Sequence, residues 1–141
     1  MSEHRGQVGK TKDAGWQIGV SKTVDHPIER VWEFLTSSEG AAMWLGHGVR
    51  TLDDIGARYE TSDGTVGETR SFRPRDRIRL TWRPPGWDHD STVQVAVTSS
   101  SAGRTVIRFH QERLTGTRER EQQRAHWQLV MSAIVEALDV A

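Results

Sequence analysis

The chain has no cysteine in its 141 residues, which excludes disulfide staples, thiol nucleophiles and thiolate-held zinc. It has no surplus of charge either. Nineteen Lys and Arg stand against 19 Asp and Glu, so the molecule as a whole has no field to steer it onto nucleic acid or an anionic membrane. No apolar run approaches the roughly 20 residues of a membrane span. Residues 1–12 hold no apolar block of the kind a secretory signal needs, and the expected location is the cytoplasm. There is no GxSxG elbow and no glycine-rich phosphate loop, and His47, His89, His110 and His126 show neither HxxxH nor HExxH spacing. Nucleophilic catalysis is therefore unsupported, and no metal site or cofactor is expected. Tyrosine and phenylalanine are scarce, one and three, whereas tryptophan occurs six times. Tryptophan adds large apolar area with one donor that needs a partner, so these rings suit a lined cavity as well as a solid core.

What is present is patterned. Residues 117–141 carry Trp127, Val130, Met131, Ile134 and Leu138 on one stripe, with Glu121, Arg124, Gln128 and Glu136 mostly off it, which predicts a long amphipathic helix capped by Thr117. Residues 1–15 lack periodicity and read as a mobile tail ahead of a single domain over residues 16–141. Trp16, Ile18 and Val20 alternate as a strand. Asp25-His26-Pro27 opens a helix carrying Ile28, Val31, Trp32 and Leu35, with Asp25 as the capping residue, and Ser37 offers a hydroxyl cap for a second short helix. Residues 49–56 read as loop or weak strand. Asp63-Gly64 predicts a tight hairpin with positive φ at both residues. Three alternating runs follow: Ile78, Leu80 and Trp82; then Val93, Val95 and Val97; then Thr105, Ile107, Phe109 and Gln111. Strands in a run bracketed by helices predict an α+β domain, one curved antiparallel sheet of about six strands laid against the long C-terminal helix, with two short helices after strand one.

The run Pro27-Ile28-Glu29-Arg30-Val31-Trp32-Glu33-Phe34-Leu35-Thr36, the following Trp44, the Gly67-Glu68 step, the strand Arg77 to Trp82, and the strand Arg104 to Leu114 before a Trp-containing helix resemble the SRPBCC (START-like, Bet v-like) superfamily. The narrower resemblance is to the group named after the activator of the ninety-kilodalton heat-shock protein's ATPase. It covers nearly the whole chain, from Trp16 to Leu138. The resemblance implies a helix-grip architecture with a cavity between sheet and terminal helix. It also implies two alternative roles, a chaperone-interacting ATPase-activator module and a cyclase or dehydratase acting in that cavity. One departure is His126-Trp127, where many relatives have Gly-Trp; it bears on the cavity mouth.

Inward positions point Trp82, Phe109, Trp127 and Met131 toward one space, with Trp44 and Tyr59 at its rim. A small-molecule binding protein holding an apolar or amphipathic ligand is the first expectation. The competing reading gives the same side chains to a solid core. Val66, Glu68, Arg70 and Phe72 share one face of a strand in strict alternation, so Glu68 and Arg70 either grip a polar ligand end or, in the opposite register, lie in solvent. Gln111 is the other polar candidate. Were the protein an enzyme, Glu68, Arg70 or Tyr59 would have to supply the acid or base. Arg73, Arg75, Arg77, Arg79 and Arg83 form a basic stripe, but no aromatics interleave with it and no nucleic-acid partner is expected. Monomer and homodimer both fit the pattern.

Overall fold

The computed structural model describes residues 10–11 and 15–140. Seven strands and three helices follow in the order β1 (Lys10–Thr11), β2 (Gly15–Val24), α1 (Ile28–Thr36), α2 (Ser38–Trp44), β3 (Arg58–Glu60), β4 (Val66–Arg73), β5 (Arg77–Trp82), β6 (Ser91–Ser101), β7 (Arg104–Leu114) and α3 (Thr117–Val140). The strands form one antiparallel sheet in the order β1-β2-β7-β6-β5-β4-β3. This is the expected α+β helix-grip, with the seventh strand a two-residue edge. The tail expected over residues 1–15 lies mostly outside the described residues; within them, Lys10 and Thr11 pair with Trp16 and Gly15.

The core is built by the predicted alternation. Ile78, Leu80 and Trp82 of β5, Val93, Val95 and Val97 of β6, and Ile107 and Phe109 of β7 are all buried. They meet the α3 stripe of Trp127, Val130, Met131, Ile134 and Leu138, spaced three and four apart so that one helix face is covered. None of the five precedes Trp127, so the first turns of α3 carry no buried residue.

The caps differ from expectation in two places. Ser37 caps α2 as predicted, its hydroxyl accepting from the Gly40 N–H at 3.0 Å. Asp25 does not cap α1: the N-cap is Pro27, without a side-chain bond. The Asp25 carboxylate instead accepts from Arg104 Nε at 2.8 Å, joining the start of α1 to β7. Thr117 lies inside α3 rather than capping it, and the Glu119 carboxylate reaches back to the Thr115 N–H at 3.0 Å. It occupies the end of the helix where a negative charge is favoured.

Two bulges break the period-two alternation. In β4, Thr69 faces Leu80 and Phe72 faces Ile78, leaving Arg70 as the extra residue. In β7, Trp16 pairs with Leu114 but Ile18 with Gln111, and Arg113 adopts φ 65°. Each bulge lets two residues of odd separation share the core face, Thr69 with Phe72 and Gln111 with Leu114. The Asp63-Gly64 turn also differs from expectation. Gly64 has φ 95° but Asp63 is not in the left-handed region. The loop is wider than a two-residue hairpin: Thr61 N–H donates to Thr65 O at 2.9 Å, and the Asp63 carboxylate accepts from the Thr61 hydroxyl.

Candidate functional site

The space between sheet and helix is filled where the sequence suggested a cavity floor. Phe109 and Trp127 stack with centroids 4.8 Å apart and planes at 18°, and both are fully buried. Trp44 and Trp82 close in on them at 6.3 Å from Phe109 and 6.1 Å from Trp127. Gln111, also fully buried, is committed within this core. Its Oε1 accepts from Trp127 Nε1 at 2.8 Å and its Nε2 donates to Ser91 Oγ at 3.0 Å, while Ser91 donates to Trp82 O at 2.7 Å. A buried polar chain with every member paired fixes ring orientation, and it engages both the carbonyl and the amino group of Gln111 within the protein.

The bulge at Arg70 separates the other polar candidates from this space. Phe72 packs on the core side against Trp32, centroids 5.6 Å apart. Glu68 and Arg70 pair with each other at 3.5 Å and border an open polar depression of about 730 Å³ together with Tyr59 and Thr81. Thr81 alternates with the core residues Leu80 and Trp82, so this depression lies on the sheet's other face. Tyr59 is buried there with its hydroxyl donating to Thr81 O, and burial, aided by the Asp90 charge, pushes its phenol pKa well above the usual value. It stays protonated and engaged. Met131 borders a third depression of about 430 Å³ beside Lys22 and Val135. Of the predicted set, Tyr59, Glu68 and Arg70 come together at the outer depression, and Trp44 and Trp82 at an opening on the core side.

That opening is a groove of about 500 Å³ at the mouth of the sheet-helix sandwich. One wall is Met43 and Trp44 of α2 with Leu45 and His47 beyond it. A second is the Asp63 and Thr65 loop. A third is Trp82 with Pro84 and Trp87 of the β5–β6 connection, and Gln123 and His126 of α3 complete it. Trp87 stands edge-on to Trp82 at 5.5 Å and stacks on His89 at 4.7 Å. His89 in turn meets the Glu119 carboxylate at 3.1 Å, tying the connection to α3.

Among the described residues, no lysine or arginine lines the groove. Asp63 is held ionised, its carboxyl pKa lowered first by the Thr61 hydroxyl and then by the Thr65 N–H. His126 lies between Trp82 and Trp127 at 6.0 and 4.8 Å, and burial lowers its pKa. Two groups at the groove lack any partner among the described residues: Trp82 Nε1 and Gln123 Oε1, both shut from solvent. An unpaired buried donor or acceptor costs about 1–3 kcal/mol.

Sequence reasoning missed Met43, Trp87 and Gln123. An aromatic inside Pro84-Pro85-Gly86-Trp87 is a signal that could have found the connection, whereas Gln123 lies one turn before the stripe and carries none. Among the described residues, no group of three or more His, Asp or Glu is placed to hold a metal ion, and no helix is long and apolar enough to cross a membrane.

His126 makes the stability pH-dependent. Its folded-state pKa is depressed, so as pH falls through the ordinary histidine value near 6.5 the unfolded chain takes up the proton first. Its contribution is full above that value and is lost on acidification. His110 adds to this, its pKa lowered by burial and by Arg79 against the opposing pull of Glu112. His126→Gln should therefore shrink the fall in melting temperature between about pH 7.5 and about pH 5, read by calorimetry; an unchanged fall would show that His126 is equally solvated in both states.

A curved antiparallel sheet gripping one long C-terminal helix, with a helix pair after the first long strand, defines the helix-grip class. Within it, the chain belongs to the family described as Activator of Hsp90 ATPase homolog 1-like protein, which matches residues 25–139. Similar solved structures include DynU16, a protein of the dynemicin biosynthetic locus, with TM-score 0.74 and 25% identity over 87% of this chain and 47% of that one. This chain thus spans about half of DynU16. An HSP90 activator from Plasmodium falciparum has TM-score 0.65 and 16% identity over 79% of this chain and 86% of that one. The Aha1 dimer from Colwellia psychrerythraea has TM-score 0.69 and 12% identity over 86% of this chain and 95% of that one. No curated protein matches the sequence.

Proposed function

We propose that this protein binds an apolar or amphipathic small molecule, and that the molecule sits in the groove at the mouth rather than between the sheet and the buried half of α3. The observation that carries this is the convergence of Trp44, Trp82 and Trp87 on one opening of about 500 Å³, a volume in the range of small-molecule sites. The family match and the likeness to a protein of a biosynthetic locus support the reading. Catalysis by Glu68, Arg70 or Tyr59 gains no support, because none of the three borders this groove. A titration with the neutral fluorophore N-phenyl-1-naphthylamine tests it. Saturable enhancement is expected, with Trp87→Ala weakening it about tenfold; a response linear in protein, or one indifferent to Trp87, would count against the groove.

A second reading, interaction with a chaperone, rests on the family's description and on the likeness to the HSP90 activator from Plasmodium falciparum. Its surface would be outside the groove, where α3 exposes Leu129 and Val140. Pull-down with an HSP90 chaperone, compared with a Leu129→Asp, Val140→Asp variant, tests it; no capture ends that reading.

A further inference from the structure

We propose that the groove selects an uncharged planar molecule that offers a hydrogen-bond acceptor to Trp82 Nε1 and a donor to Gln123 Oε1, and that it rejects anions. This rests on the binding reading above and names the ligand class.

Three observations carry it. First, Trp82 is only 7% exposed, and every other polar contact around it is assigned: its carbonyl accepts from Ser91, while the neighbouring Trp127 and Trp44 indoles donate to Gln111 Oε1 and Leu35 O. Its own N–H alone among these three donates to nothing. A buried indole that finds no acceptor among the described residues is open to one from a ligand. Second, Gln123 contributes the complementary group, a buried acceptor without a donor, from a different element of the same groove. The two do not satisfy each other, so a ligand presenting both functions answers both. Gln123 has three rotatable side-chain bonds and sits on the α3 stretch that buries no residue, so its amide is free to turn toward a ligand. Third, the sign of charge points one way: among the described residues Asp63 is the one carboxylate at the lining, and no lysine or arginine lines it. A carboxylate or phosphate would enter beside the Asp63 charge without a lysine or arginine counter-ion, which disfavours it.

The test is competition against N-phenyl-1-naphthylamine with four probes: 2-quinolinone, which is planar and has adjacent C=O and N–H; its N-methyl derivative, which lacks the donor; naphthalene, which lacks both; and quinoline-2-carboxylate, an anion. We expect 2-quinolinone to bind at least about tenfold tighter than each of the others. Trp82→Phe should weaken it about tenfold yet leave it tighter than naphthalene, because the bond to Gln123 survives, and Gln123→Leu, on a partly exposed helix turn, should bring it down to that of the N-methyl derivative. Circular dichroism melts confirm that each variant is folded. Equal affinities for all four probes, or tightest binding of the carboxylate, would overturn this inference while leaving the groove as a binding site. Failure of the fluorophore itself to bind would overturn both.

Discussion

Replacing Trp127 by alanine is expected to cost about 3–5 kcal/mol of folding stability. This residue is fully buried, stacks on Phe109, contacts Trp82 and donates to Gln111, so its loss opens a cavity and orphans a buried acceptor together. The two parts can be separated. Trp127→Phe keeps a ring against Phe109 but leaves Gln111 Oε1 unpartnered, and Gln111→Leu leaves the Trp127 N–H unpartnered, each costing about 1–3 kcal/mol. The double variant removes both ends of the bond, so its cost should fall short of the sum by about 1 kcal/mol. Urea unfolding of the four proteins measures this; strict additivity would show that the hydrogen bond contributes nothing.

Gly67→Ala is expected to destabilise by about 3 kcal/mol, at the upper end for overpacking. A Cβ there would collide with the Thr81 carbonyl and with the Tyr59 hydroxyl that donates to it. A side chain can move but the Thr81 carbonyl belongs to β5 backbone, so relief requires β4 to shift away from β5. Shortening the tyrosine therefore should not rescue: Gly67→Ala with Tyr59→Phe remains destabilised. Full recovery in the double variant would mean that Tyr59 alone sets the constraint.

The architecture is legible because burial alternates without a break in β5, over residues 93–97 of β6 and in the first part of β7, and because the α3 stripe is long enough to fix its period. Alternation fails at the bulges. Strict alternation put Glu68, Arg70 and Phe72 on one face, whereas the extra residue at Arg70 turns Phe72 to the core and leaves the charged pair on the other side. Nothing in the composition marks that bulge, and at Arg113 a residue with a Cβ takes the left-handed conformation usually signalled by glycine. The site was half legible. Trp44 and Trp82, expected at a cavity from the sequence, line the opening, and the departure at His126 falls at the same place. Phe109, Trp127 and Gln111 were placed on the correct face, but a face pattern cannot tell a lined void from rings that stack on each other. That distinction depends on distances, and here the rings meet.

A ligand in the proposed site at the mouth leaves the stacked core intact. The most direct measurement is the set of tryptophan indole N–H signals in a nitrogen-15 correlation spectrum, assigned by single Trp→Phe variants and followed during titration with N-phenyl-1-naphthylamine. The Trp82 and Trp87 signals should move with saturation, while Trp127, bonded to Gln111, stays in place. Movement of Trp127 with Trp82 and Trp87 unchanged would contradict the account and return the binding site to the space between sheet and helix.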